Sequence, residues 1–171
     1  MYDSDNLYYS YKAVTGTNGI ISALVKSVGG TENYNAGAVV IRQNLNTEVA
    51  TTTTAVPISL CAIGKNGPAS HYYRTSSTTQ SGYAAGATVA PNNYIRIQKV
   101  GNLIICAYST DGTSYTEINR QTIIFTGTYY VGVAGLSYNQ RTSATFEKID
   151  ISGFNGYCHN HGDCKTQRGK S

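Results

Sequence analysis

Residues 94–119 read YIRIQKVGNLIICAYSTDGTSYTEIN, and this stretch decides the fold class. Three runs rich in β-branched, aliphatic and aromatic residues are separated by Gly101-Asn102 and by Asp111-Gly112. Both of these residue pairs tolerate the positive φ angles that tight hairpin turns require. The spacing therefore predicts three consecutive antiparallel strands over 94–100, 103–109 and 114–119.

Alternation along the first of these strands predicts which side chains face the core. Ile95 and Ile97 alternate with Arg96 and Gln98, and successive side chains of a strand point to opposite sides. We expect the two isoleucines to be buried and Arg96 to face outward. The strand over 103–109 is apolar on both sides, so we expect something to cover its outer face.

The rest of the chain continues the pattern of short strands. No segment has the 3.6-residue period and the caps of a helix, and runs rich in Tyr, Thr, Val and Ile alternate with Gly, Asn, Asp and Ser. About ten strands without a helix predict a two-sheet antiparallel sandwich, because a single open sheet would leave one apolar face wet. The predicted strands cover 7–14, 19–28, 36–43, 56–63, 70–75, 94–100, 103–109, 114–119, 129–137 and 144–151.

The composition excludes several classes of protein. The 171 residues are the size of one domain, only 13% of them are charged, and the chain has 15 Tyr and no Trp. The low charge is unlike that of helical bundles, and the aromatic and β-branched content is unlike that of a disordered chain. No apolar run reaches the roughly 18 residues of a membrane helix. The formal charge of +4 is too weak to indicate a nucleic-acid partner.

Seven segments, taken in order, resemble a known module. In order and spacing they are similar to the concanavalin A-like, LamG-like jelly-roll module of large secreted bacterial proteins, which often lies beside carbohydrate-active domains. The resemblance implies a jelly-roll sandwich and an extracellular or cell-surface location, and the family has no catalytic motif to carry over. The segments are YSYKAVTG (9–16), NAGAVVIR (35–42), YRT (73–75), YIRI (94–97), YSTDGTSYT (108–116), YYVGVA (129–134) and ATF (144–146).

Four side chains are candidate ligand-binding residues. On the predicted face assignment, Tyr72, Arg74, Arg96 and Gln98 project outward from neighbouring strands. Tyr can stack on a sugar ring, while Arg and Gln can hydrogen-bond to its hydroxyls. The family usually has Trp where this chain has Tyr94 and Tyr115, and the replacement weakens the expected stacking.

The acidic residues give little support to catalysis. There are nine of them, and glycoside hydrolysis needs two carboxyl groups at a controlled separation. Glu147 and Asp150 lie three residues apart on one predicted strand, so we expect them to face opposite sides. We interpret His71 as a packed or hydrogen-bonded sandwich residue, and no Gly-x-Ser-x-Gly elbow occurs. We therefore expect that the chain is not an enzyme and has no catalytic residue.

Two cysteines, Cys61 and Cys106, lie within predicted strands. We interpret them as small buried apolar side chains. Two strands would separate them in a single sheet, and at about 4.8 Å per strand this distance is too long for a disulfide. A disulfide between them requires that they face each other across the sandwich, or that the strand order differs.

Strand patterning stops near residue 155, which divides the chain into a sandwich module, 1–154, and a Cys-containing tail, 155–171. Cys158 and Cys164 resemble the second and third cysteines of an EGF-like module, so the tail is similar to a truncated piece of one. A local disulfide between them is the favoured interpretation. A zinc site that adds His159 and His161 is the alternative, although its spacing matches no common zinc motif.

These observations favour an extracellular structural or adhesive module that forms part of a surface or filamentous assembly. Its expected partners are copies of itself or neighbouring surface proteins, because low charge removes the repulsion that keeps sandwich edges apart. The alternative is a carbohydrate-binding module with a polysaccharide partner. We expect no cofactor, no metal, no nucleic-acid partner and no insertion into a membrane.

Overall fold

The computed structural model describes residues 7–45, 56–76, 81–137 and 142–155. Within these residues the chain forms eleven strands and no helix, and thus no helix that is long and apolar enough to cross a membrane. The strands are β1 (Leu7–Val14), β2 (Asn18–Val28), β3 (Ala36–Arg42), β4 (Ile58–Gly64), β5 (Pro68–Arg74), β6 (Gly82–Thr88), β7 (Asn93–Val100), β8 (Leu103–Ser109), β9 (Thr116–Thr122), β10 (Tyr129–Leu136) and β11 (Ala144–Ser152).

The strands form two antiparallel sheets that pack face to face. One sheet has six strands in the order β1-β10-β3-β4-β5-β6, and the other has five strands in the order β11-β2-β7-β8-β9. The predicted all-β, two-sheet antiparallel sandwich is therefore confirmed. The sequence pattern did not predict β6, which forms one edge of the six-stranded sheet.

The predicted three-strand meander is present as β7, β8 and β9, which are neighbours in the five-stranded sheet. Both turn glycines have positive φ angles, +60° at Gly101 and +77° at Gly112. The carboxylate of Asp111 accepts hydrogen bonds from the backbone N–H groups of Thr113 and Ser114, each at 2.8 Å. These bonds hold the pKa of Asp111 below its usual range and fix the second turn.

The core lies between the two sheets and is made of their inward side chains. Ile95 and Ile97 of β7 are fully buried there, as the alternation predicted, and Ile104 of β8 packs beside them. Arg96 lies on the outer side of the same strand. Outside the core, Leu103 and Ile105 of β8 are only partly covered.

A disulfide between Cys61 and Cys106 crosses the core, and their Cα atoms are 5.5 Å apart. Our interpretation of these residues as two buried apolar thiols was therefore wrong, and the alternative of a bond across the sandwich is what the structure shows. The physical reason is the path of the chain. Cys61 lies on β4 of the six-stranded sheet, whereas Cys106 lies on β8 of the five-stranded sheet. The two side chains face each other through the core.

Candidate functional site

The four predicted ligand-binding residues do not lie on one surface. Tyr72 and Arg74 lie on the outer face of the six-stranded sheet, and Arg96 and Gln98 lie on the outer face of the five-stranded sheet. Their expected placement on neighbouring strands was wrong, because the chain passes from one sheet to the other between β6 and β7. One ligand therefore cannot contact all four side chains, and binding by either pair stays a prediction.

The Arg74 side chain supports the fold on its face of the sheet. It is 2% exposed, and its guanidinium donates to the carbonyl of Val56 at 3.2 Å and to the hydroxyl of Ser81 at 3.3 Å. These bonds tie the start of β4 and the start of β6 to the end of β5. Its donors are engaged within the protein, so Tyr72 is the more accessible of this pair.

On the opposite sheet, Arg96 is covered by an aromatic ring. Its guanidinium carbon lies 4.0 Å from the centre of the Tyr115 ring, a cation–π geometry. Burial raises the pKa of Tyr115, while a hydrogen bond with Ser22 and the charge of Arg96 lower it by less. The Lys148 ammonium donates to the Tyr94 hydroxyl at 2.9 Å on the same face. Arg96 thus belongs to a packed polar layer.

A bulge on β11 places Glu147 and Asp150 on the same face, contrary to our expectation. Glu147 lies opposite Leu24 and Asp150 lies opposite Ser22, and these two residues of β2 are two positions apart and share a side. The register shifts between Glu147 and Asp150, where Lys148 has a φ of +49°. The extra residue in the bulge reverses the alternation that the sequence predicted.

A serine, a histidine and an asparagine meet inside the sandwich. His71 has Ser59 Oγ 2.9 Å from its Nε2 and Asn119 Nδ2 3.2 Å from its Nδ1. Because an amide nitrogen can only donate, Nδ1 accepts and Nε2 carries the proton that it donates to Ser59. A serine nucleophile needs the opposite arrangement, with Nε2 accepting the serine proton. This buried trio is structural, which agrees with the hydrogen-bonded role expected of His71.

We expect stability to fall with acidification through the titration of His71. Burial lowers the pKa of His71 from 6.5 to about 4. The stabilisation is therefore fully present above pH 6.5, where neither state is protonated, and it is lost as the pH falls towards 4 because the unfolded chain binds the proton first. The free energy of unfolding should decrease by about 3 kcal/mol over this range. Urea unfolding at pH 7 and at pH 4.5 measures the change.

The matched control for this measurement is His71→Asn, which keeps a polar, uncharged side chain at the position. The variant should be less stable than the native chain at pH 7, and its stability should depend much less on pH. An equal loss of stability in both proteins between pH 7 and pH 4.5 would assign the effect to other groups.

On the outer face of the six-stranded sheet, tyrosines lie on both sides of a central group of apolar side chains. One row across the strands runs Tyr11, Gly132, Val40, Leu60, Tyr72 and Tyr83. Val40 and Leu60 in the middle are fully buried, whereas Tyr11 and Tyr83 at the two edges are 48% and 54% exposed. The Tyr72 and Tyr83 rings pack with their centres 5.0 Å apart. Exposed aromatic surface therefore lies at the edges of this sheet.

The edge strands of the five-stranded sheet carry charged side chains. β11 has Glu147, Lys148 and Asp150 together with its register shifts. β9 has Glu117 and Arg120, which form a two-point salt bridge, Nε to Oε1 at 2.7 Å and Nη2 to Oε2. Charges and bulges on an edge strand discourage its pairing with the strands of other molecules.

The two edges of the six-stranded sheet differ from each other. β1 carries Lys12, whose partner across the pair is the core residue Val131, so a charge lies on the inward side of that edge. β6 reads GYAAGAT and has no charged residue and no proline. Its one irregularity is a register shift after Ala85. Of the four edges, β6 has the fewest features that prevent pairing, and we take it with Tyr72 and Tyr83 as the candidate functional site.

No cluster of metal-binding side chains occurs among the residues that the structure describes. The predicted Cys158–Cys164 disulfide and the alternative zinc site lie outside those residues, as does the tail from residue 156 onward. Both remain predictions.

No protein-family model matches the chain, and no curated protein sequence matches it. Solved structures do match. A functionally unknown protein from Saccharomyces cerevisiae is 11% identical with a TM-score of 0.60, over 84% of this chain and 72% of that chain. Scytalido-glutamic peptidase, solved with a transition state analog inhibitor, is 10% identical with a TM-score of 0.48, over 88% of this chain and 81% of that chain. At these identities the likeness is one of fold alone.

One expectation from the sequence, that the chain is not an enzyme, is contradicted by these comparisons. We expected that the chain is not an enzyme, yet an enzyme is among the solved structures that resemble it. Since the likeness concerns only the fold, we carry neither the activity nor any residue of the peptidase over to this chain.

Proposed function

We propose that this chain is a structural and adhesive module of an extracellular assembly, with a jelly-roll, concanavalin A-like topology. The observation that carries the proposal is the contrast among the four sheet edges. Charged residues occupy β1, β9 and β11, whereas β6 has none. An edge strand without such protection is a template for pairing with another chain.

Two further features support this proposal. The disulfide between Cys61 and Cys106 favours an oxidising compartment, because such bonds are rare in reducing ones. Only 13% of the residues are charged, so electrostatic repulsion between copies is weak. A secreted module with this surface is suited to contact neighbouring copies or surface proteins in an assembly.

The test is the association state of the full chain under oxidising conditions. We expect oligomers or fibres whose population grows with concentration in sedimentation velocity and electron microscopy. Because so few charges are involved, association should change little between low and high salt. A monodisperse monomer at the highest attainable concentration, at both salt concentrations, would contradict the proposal.

A further inference from the structure

The free side of β6 exposes a row of backbone hydrogen-bonding groups. β5 pairs with one side of β6, and no strand among those that the structure describes pairs with the other. Backbone N–H and C=O groups on that side are satisfied by water or by a further strand. The chemistry of this edge therefore selects an extended peptide segment as its partner.

Close contacts within the sandwich explain why β6 has such small residues. A Cβ atom on Gly82 would lie 2.3 Å from Cζ of Tyr73, and one on Gly86 would lie 3.0 Å from Cγ1 of Ile118. The inward face of β6 must therefore stay small. On its outward face only Tyr83 is large, and Ala85 beside it is exposed.

We propose that the partner is a second copy of this chain, whose own β6 pairs antiparallel with β6 about a two-fold axis at Ala84. This inference rests on the proposed function and names its contact. Tyr83 of one copy then lies opposite Ala85 of the other, and Gly82 lies opposite Gly86. The large Tyr83 side chain therefore lies opposite the small Ala85 side chain. Gly82 and Gly86, which have no side chain, lie opposite each other.

Charge also favours a second copy at this edge. Pairing β6 with the β6 of a second copy places no like charges opposite each other, because neither strand carries a charge. The register shift after Ala85 limits the regular part of the strand to a few residues. The pair is therefore short and its formation is reversible and concentration-dependent.

Charges placed on β6 test this pairing. Ala85→Lys and Ala85→Glu each introduce a side chain on an exposed position of the outward face. In the proposed pair the two copies of residue 85 are diagonal neighbours, within reach of long side chains. Each variant alone should dimerise at least about fivefold more weakly than the native chain, and an equal mixture of the two should recover the native affinity. Sedimentation equilibrium measures both.

Thr122→Lys and Thr122→Glu are the matched controls, because Thr122 is also exposed and lies on the β9 edge of the other sheet. These variants should associate like the native chain. Thermal unfolding of all four variants checks that each one is folded. A β6 variant that unfolds is replaced by Tyr83→Lys and Tyr83→Glu, because residue 83 is exposed and its two copies are also diagonal neighbours in the proposed pair.

The outcomes separate this inference from the proposed function. If the native chain associates and the Ala85 variants associate equally well, assembly stands and the β6 contact is wrong. If the single variants are weakened but their mixture does not recover, β6 meets a different segment and pairing with its own copy is wrong. A native chain that stays monomeric overturns both proposals.

Discussion

Replacing Cys61 and Cys106 together by Ala should lower the free energy of unfolding by about 4 kcal/mol, because the disulfide closes a loop of 45 residues. Closing that loop restricts the unfolded chain, so removal of the bond favours unfolding. The bond also joins β4 to β8 through the middle of the core. Urea unfolding of the oxidised native chain and of the double variant, with linear extrapolation, measures the difference.

Two controls isolate this bond. The measurement is made in a Cys158→Ser/Cys164→Ser background, so that reductant acts on Cys61 and Cys106 alone. Because the bond is buried, the chain is reduced while unfolded and is then refolded in reductant. The reduced chain and the double Ala variant should show similar midpoints, both well below that of the oxidised chain. Equal midpoints with and without reductant would show that the disulfide contributes no stability.

We expect Gly132→Ala to lower the free energy of unfolding by about 3 kcal/mol, because the new Cβ atom has no space. The atom would lie 1.9 Å from the carbonyl oxygen of Ser10 and 2.7 Å from Cα of Tyr11, and both belong to the backbone of β1. Backbone atoms cannot rotate away as a side chain can. The strand β1 must therefore shift away from β10 and lose part of its ladder.

Gly135→Ala is the matched control on the same strand. Its Cβ would meet its nearest neighbour, Cγ2 of Thr142, at 3.5 Å, which is ordinary van der Waals contact. We expect little change in stability for this variant, whereas Gly132→Ala should also speed hydrogen exchange in residues 7–14. Similar stability and similar exchange in the two variants would contradict the close approach of β1.

Several features of the fold follow from local patterns in the sequence. The turns at Gly101 and Gly112 need residues that tolerate positive φ, and these residues stand next to each other in the chain. The inward faces of Ile95 and Ile97 follow from the alternation within one strand. Neither conclusion requires knowledge of which other strands lie nearby, and both were correct.

The strand that carries the candidate site could not be found in the same way. β6 reads GYAAGAT, and glycine and alanine have low β propensity. The strand forms because its backbone pairs with that of β5 and because the Tyr73 ring packs against Gly82, where any side chain would clash. These are contacts with neighbours in space, and the local pattern contains no signal of them.

The bulge at Lys148 shows that one extra residue in a strand is enough to make the alternation of side chains predict the wrong face. Two-residue periodicity placed Glu147 and Asp150 on opposite faces, but one extra residue in β11 returns them to the same face. Lys148 has a positive φ, which lysine rarely adopts, so nothing in the sequence indicated a bulge at this position.

The sequence by itself determined the low-charge, all-β sandwich, its hairpin meander and the faces of its central strands, because turn chemistry and alternation act between residues close in the chain. Only the tertiary structure decided which sheet each strand joins. That choice paired Cys61 with Cys106 across the core, placed Tyr72 and Arg96 on opposite surfaces and left β6 at an uncharged edge. The physical reason is that such contacts join residues far apart in the chain, and the packing of the whole sandwich selects them.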